Sequence, residues 1–400
     1  MSSSHAVALT WGRSSYRVDL WDRYDITLSM LEAGTGFTLT CWGSTAEDEA
    51  PFELLTDRDF GLKLGDPLTL TIDDVVVLSA RVETLEAGDA QSQRGGFEVT
   101  VTGRDLAGPA ISWDADPSVS FRGATLTDAL TRLFEPLAMP VRFGAHADPA
   151  SSLRGLRPRR NGRFTTHVRT HSRPIDVTHP RVGERVWQVA ERIVRGLGYR
   201  LWVAPGDDDA CNVVVDAPNT GGEVLFRFVR ELREGVVTEA SNILHGRECL
   251  SVRDVPTEVT VYAHTPRGDT ESTRVARTVQ NGWLDSVDVT RGRVSSELPK
   301  QPRHLRSDQA RSDEAARQEA ARVIAEAMEG FRVYRCTVQG HAQDDRLYAP
   351  NTMAHVRDDK LGLDEDMLLT RCTFSGSRHA GQTTRVELVP RAALSMEPVT

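Results

Sequence analysis

The sequence predicts a mainly β protein with α+β insertions: two related antiparallel β-barrels and, between them, a middle α+β domain. Three observations predict it. Alternating apolar and polar stretches recur through the first hundred residues, helical periodicity is confined to a middle stretch and one late segment, and the strand pattern of the beginning returns at the end.

In the first predicted domain, residues 1–113, Tyr16–Leu20, Ile26–Met30 and Phe37–Trp42 alternate, and Glu32-Ala33-Gly34-Thr35-Gly36 breaks the last two apart. Alternation at period 2 sets one face on a core and the other in water. Gly65-Asp66-Pro67 opens a strand at Leu68–Ile72, Asp73-Asp74 is a tight turn into Val75–Val82, and Phe97–Thr102 runs to Gly103-Arg104-Asp105. Short strands joined by turn residues favour a small antiparallel barrel or sandwich.

The middle domain, residues 114–245, is α+β. Thr125 is placed to cap a helix whose apolar stripe is Leu126, Leu130, Leu133 and Phe134, with Pro136 and Pro140 bounding its end. Val141–Phe143 reads as a short strand, and a polar stretch follows over 151–180. A second helix sets Val186, Trp187, Ala190, Ile193, Val194 and Leu197 on its buried side, with Gly196 and Gly198 as the stop. Tyr199–Val203 and Cys211–Asp216 form a hairpin across the Pro205–Asp209 turn.

The last domain, residues 246–400, returns to strands. Glu258–His264 and Ser272–Val279 precede an alanine-rich helix over 308–329, with Ala316, Ala320, Val323, Ile324, Ala327 and Met328 on one face. Such a helix would be roughly 33 Å long, at 1.5 Å per residue. Gly330 ends it, and Arg332–Val338, Thr352–Val356, Met367–Phe374 and Thr384–Val389 close the chain as strands.

The two ends echo each other. FTLTCWG (37–43), GDPLTLTI (65–72), VVLSARVETLE (76–86) and GGFEVTVTGRDLAG (95–108) are matched in order by FRVYRCTVQG (331–340), APNTMAHV (349–356), DMLLTRCTFSG (366–376) and GQTTRVELVPRAAL (381–394). Both series have a Phe-led strand holding a Cys, a Pro-led strand, a strand with a central Arg, a Gly-rich loop and a β-branched last strand. The spacing agrees too, which points to a duplicated barrel.

Composition narrows the function. The chain has 400 residues, 39% of them hydrophobic, a mean hydropathy of −0.36, and no apolar run long enough to span a membrane. No basic segment followed by an apolar one opens the sequence, so no secretory signal is expected. The net charge of −9 argues against a protein that coats nucleic acid over its whole surface. The five cysteines are scattered without a C-x-x-C pair, so neither structural zinc nor a disulfide framework is expected.

Order of motifs carries a resemblance. GFEVTVTGRDLAG (96–108), GERVWQVAERIVRGLGYRLWV (183–203) and the block from HAQDDRLYAPNTMAHV to TTRVELVPRAAL (341–394) resemble the baseplate hub proteins of contractile phage tails. These are the Mu-like tail hub and late control protein D group, related to the N-terminal part of type VI secretion spike proteins. The resemblance implies two tail-tube-like barrels per chain, a homotrimer with pseudo-sixfold symmetry, and a structural adaptor between a hexameric tail tube and a trimeric central spike. It further implies contacts with other baseplate proteins, a lumen through which DNA passes, and a place in the virion or injection particle after assembly in the bacterial cytoplasm. Two features depart from the group. The 151–180 connection is longer and more basic, and the chain ends soon after its last strand, so a spike would be a separate protein.

The strongest local charge feature lies at 151–185, where nine arginines face only Asp176 and Glu184. Arg154, Arg157, Arg159, Arg160, Arg163, Arg169 and Arg173 are the candidate contacts to an acidic partner surface or to phosphate. Only Phe164 interleaves with them, so protein docking ranks above DNA contact. His167 and His171 have i, i+4 spacing but no third ligand, and no metal or cofactor is expected there. His341, His355 and His379 read as ordinary core or surface residues. No phosphate loop, G-x-S-x-G, H-E-x-x-H or calcium-loop pattern occurs, so no enzyme is expected. A cell-wall hydrolase with a distant carboxylate pair is the alternative, and a DNA- or carbohydrate-binding multi-barrel protein is a third option.

Overall fold

The computed structural model describes residues 5–12, 16–19, 21–43, 55, 61–89, 97–144, 179–195, 199–205, 211–267, 271–286, 290–307, 313–378 and 380–394. Two compact units draw on discontinuous stretches of chain. Unit 1 comprises Met1–Ala217, Thr337–Pro350 and Thr370–Val386, and unit 2 the stretches Pro218–Cys336, Asn351–Leu369 and Glu387–Thr400.

Unit 1 begins with β1 (Val7–Trp11), β2 (Tyr16–Val18), β3 (Arg23–Ser29), β4 (Gly36–Gly43), β5 (Pro67–Ile72), β6 (Val75–Asp89) and β7 (Phe97–Asp105). They lie side by side in the order β2-β1-β5-β6-β7-β4-β3, each pair antiparallel. Asp73 and Asp74 make the β5–β6 hairpin with φ of 50° and 61°, the paired left-handed geometry that two-residue turns need and aspartate tolerates. β6 runs well past the expected Val82. A bulge at Glu83 shifts its register, and pairing with β7 then continues to Asp89. The alternation fades there because Thr84, Glu86, Ala87 and Gly88 are all exposed.

The helical part of unit 1 starts with α1 (Gly108–Ser112), continues through α2 (Leu126–Phe134), β8 (Val141–Phe143) and α3 (Val186–Arg195), and ends with β9 (Arg200–Pro205) and β10 (Cys211–Asp216). Thr125 caps α2 as expected, within a full capping box. Its hydroxyl accepts from the Asp128 amide at 3.2 Å, and its own amide donates to the Asp128 carboxylate at 3.3 Å. Leu130, Phe134, Val189, Ala190 and Val194 are buried with Val213 and Val215 of β10, which lies between β8 and β9. The Phe134 and Trp187 rings meet edge to face at 6.0 Å.

In unit 2, β11 (Val224–Arg230), the small hairpin β12 (Leu232–Arg233) and β13 (Val236–Val237), and β14 (Ile243–Leu250) come first. Next are β15 (Glu258–Arg267), β16 (Glu271–Gln280) and β17 (Pro302–Ser307), with β15 antiparallel to β16 and parallel to β17. The long helix α4 (Asp313–Glu329) packs on β15 and β16. Ala316 and Ala320 let it approach closely, and Val323, Ile324 and Met328 close over Val259, Val261 and Trp283. The expected start at residue 308 lies outside the described residues.

The chain ends with β18 (Arg332–Gln339), the hairpin β19 (Ala342–Gln343) and β20 (Arg346–Leu347), then β21 (Thr352–Asp358), β22 (Leu363–Ser377) and β23 (Gly381–Pro390). β21 is parallel to β11 and antiparallel to the first half of β22. The second half of β22 belongs to unit 1, where Arg371–Ser377 pairs antiparallel with β3.

Candidate functional site

The repeated block of sequence folds into a repeated strand order. Neighbours run β3-β4-β7-β6-β5 in the first array and β14-β18-β23-β22-β21 in the second. The four segments that echo in sequence are thus β4, β5, β6 and β7, answered one for one by β18, β21, β22 and β23. β6 and β22 are each 15 residues long, and a helical turn follows both β7 and β23. The match extends to a pair not read from sequence, β3 and β14. Two differences remain: β15–β17 and α4 intervene between β14 and β18, and β1 is antiparallel to β5 whereas β11 is parallel to β21.

A buried histidine cluster lies in unit 1. His5 Nδ1 is 2.5 Å from Asp73, and the His5 ring stacks on His341 with centroids 5.3 Å apart. His341 is hydrogen-bonded through Nε2 with the Tyr24 hydroxyl at 2.7 Å and through Nδ1 with the Thr384 hydroxyl at 3.0 Å. The His5 amide donates to the Gln382 side chain at 2.6 Å, which donates back to the His5 carbonyl at 2.5 Å. Burial drives His341 down to about 4 and lifts the Tyr24 phenol above its usual range. An Asp–His pair can serve a nucleophile, but here His341 is wholly buried and His5 nearly so, with tyrosine and threonine hydroxyls as fixed partners. The cluster ties the segment before β1 to the far ends of β18 and β23.

The other deeply buried acids are equally engaged. Asp105 accepts from the Thr35 amide and hydroxyl, each at 2.8 Å, and from the Ala107 amide at 2.9 Å, yet burial still pushes it up to about 6. Asp358 accepts from Arg230 Nε at 2.8 Å and Nη2 at 2.5 Å, and from the Tyr334 hydroxyl at 2.8 Å. Arg332, fully buried, bridges Glu248 and Glu365, while Arg293 also reaches Glu248 at 2.9 Å. Each of these carboxylates is occupied by protein donors, an arrangement suited to holding strands rather than to receiving a substrate. Among the described residues, no group of three or more His, Cys, Asp or Glu could hold a metal ion.

Arg154, Arg157, Arg159, Arg160, Arg163, Arg169 and Arg173 lie outside the described residues, as do His167, His171 and His379. Two of the flanking basic residues that are described pair with acids. Arg185 bonds Asp114 at 2.7 Å, and Arg192 bonds Glu184 at 2.7 Å. His355 is surface-facing, between Asp364 and Asp366. Sequence reasoning missed β14, in which two apolar pairs, Ile243-Leu244 and Cys249-Leu250, flank a polar middle that holds Gly246. The signal was that glycine: a Cβ there would stand 2.5 Å from the Tyr334 hydroxyl oxygen and 2.7 Å from the Asp358 carboxylate.

With this geometry in hand, the chain can be set beside known proteins. Residues 309–397 match the model of the fourth domain of the Mu phage baseplate assembly protein GpP. No curated protein sequence matches the chain. Among solved structures it is similar to a tail protein from Neisseria meningitidis MC58, at 19% identity and a TM-score of 0.71 over 97% of both chains. It is similar also to the 43 kDa tail protein of prophage MuSo2 from Shewanella oneidensis, at 18% identity and a TM-score of 0.69, covering 98% of this chain and 99% of that one. A component of the Escherichia coli type VI secretion system matches at 9% identity and a TM-score of 0.53, over 96% of this chain and 76% of its own. The fold is that of phage tail proteins. More narrowly, the family match over residues 309–397 is to a Mu phage baseplate protein, and one of these likenesses is to the tail protein of the MuSo2 prophage.

Proposed function

We propose that this chain is a structural baseplate hub, a homotrimer that adapts a hexameric tail tube to a trimeric central spike. The observation that carries the reading is the repeated five-strand array. Three chains with two arrays each supply six similar modules, so one ring can face sixfold symmetry on one side and threefold on the other. The saturated buried carboxylates and the fold shared with structural tail proteins favour a non-enzymatic part. On this reading the hub belongs to the virion or injection particle, is assembled in the bacterial cytoplasm, and leaves a lumen for DNA. The arginines from Arg154 to Arg173 serve protein docking in preference to DNA contact.

Light scattering after size exclusion tests the reading, with the protein alone and mixed with a trimeric spike. The expected mass is that of three chains. A monomer in both samples at high concentration would overturn it.

A further inference from the structure

We infer that copies of this chain join head to tail by strand addition: the outer half of β6 in one copy pairs with the open edge of β14 in the next. Resting on the hub reading, this assigns the interface that closes its ring.

The chain holds the precedent for such a joint. β22 pairs with β21 along Leu363–Leu369 and then with β3 along Arg371–Ser377. Its counterpart β6 pairs with β5 along Val75–Arg81, and Val82 still exchanges backbone hydrogen bonds with Gly65 and Asp66. Beyond Val82, β7 is the only strand neighbour of β6 among the described residues. Among the described residues β14, the counterpart of β3, pairs only with β18, while Asn242 just before it bonds Val229 of β11. The repeat therefore contains two equivalent joints. The β22–β3 joint is made within the chain, while among the described residues neither half of the β6–β14 joint has a paired strand, although β9 packs against β6.

The two open edges suit each other. The outer half of β6 exposes Thr84, Glu86, Ala87 and Gly88, and β14 exposes Leu244, His245 and Arg247, so acidic and basic residues would meet. Neither segment carries the proline or lysine with which free edges are commonly blunted. Because the two patches differ, each copy uses one to bind forward and the other to be bound, a heterologous contact that gives a ring when its rotation closes, as the hub reading requires.

Cysteine pairs test the joint in the full-length protein. Thr84→Cys, Glu86→Cys or Ala87→Cys is combined with His245→Cys or Arg247→Cys, in a Cys249→Ser background. Mild oxidation should convert at least one pairing into covalent trimers on a non-reducing gel, while each cysteine alone gives none. In parallel, Thr84→Lys with Glu86→Lys should shift the mass from trimer to monomer with an unchanged far-UV spectrum. Trimers that no pairing cross-links, or a doubly substituted protein that is folded and still trimeric, would refute the β6–β14 joint and leave the hub reading standing. A wild type that stays monomeric with and without spike removes the hub reading itself. If the lysine variant does not fold, cross-linking alone decides.

Discussion

The two five-strand arrays share a neighbour order and differ in what fills them. Ile26, Leu39, Val99 and Val101 are completely buried in the first, an apolar interior of ordinary kind. In the second, fully buried Arg332 lies between Glu248 and Glu365, and Arg230 is clamped by Asp358 beneath Tyr334. The second interior is apolar too, with Val338, Val356, Leu368 and Phe374 fully buried, so strand order survives the insertion of ion pairs into an apolar core. What differs is tolerance: an apolar core accepts a smaller side chain at moderate cost, whereas a buried ion pair that loses one member leaves an uncompensated charge.

The largest expected effect tests that difference. Asp358→Ala should cost about 4 kcal/mol in urea unfolding, because Arg230 is left buried and unpaired. The double change Arg230→Met with Asp358→Leu should cost far less. If the double variant is as unstable as the single one, the ionic interior owes its stability to something besides this pair.

Leu39→Ala in the first array should cost about 3 kcal/mol, the value of a fully buried leucine whose cavity partly collapses. Salt should leave this loss unchanged. A loss below about 1 kcal/mol would mean that the first interior is loosely packed.

A smaller effect sharpens the contrast by pH. Asp105 is held up at about 6, so its contribution to stability is full below its ordinary value of 3.8 and is lost as pH rises through about 6. His341 is held down at about 4, so its contribution is full above 6.5 and is lost as pH falls through about 4. The two oppose each other across the same window. As pH drops from 6.5 to 4, wild type should therefore gain on Asp105→Asn by up to about 3 kcal/mol. Urea melts of both proteins at a series of pH values read that gap, and a constant gap would contradict it.

Local signals were legible where a segment's own residues decide its structure. The Thr125 cap, the stripes of α2 and α3, the Asp73-Asp74 turn and the strand cores of the echoed blocks all lie near their expected places. β1 escaped because Val7–Trp11 is almost wholly buried and does not alternate. β14 escaped because its apolar residues fall in pairs at either end and do not alternate, and its Glu248 belongs to a buried ion network. That network could not be read from the chain, since Arg332 and Glu248 are 84 positions apart and Arg230 and Asp358 are 128 apart. Local periodicity carries no record of partners at such range.

The discontinuous make-up of unit 1 bears on biosynthesis. β3 pairs with Arg371–Ser377, and His5 is fastened to Gln382. Unit 1 thus stays incomplete until residues 371–382 have left the ribosome. A chain arrested earlier exposes the β3 edge and releases its leading residues. Unfinished product is therefore more open to proteolysis than the completed chain.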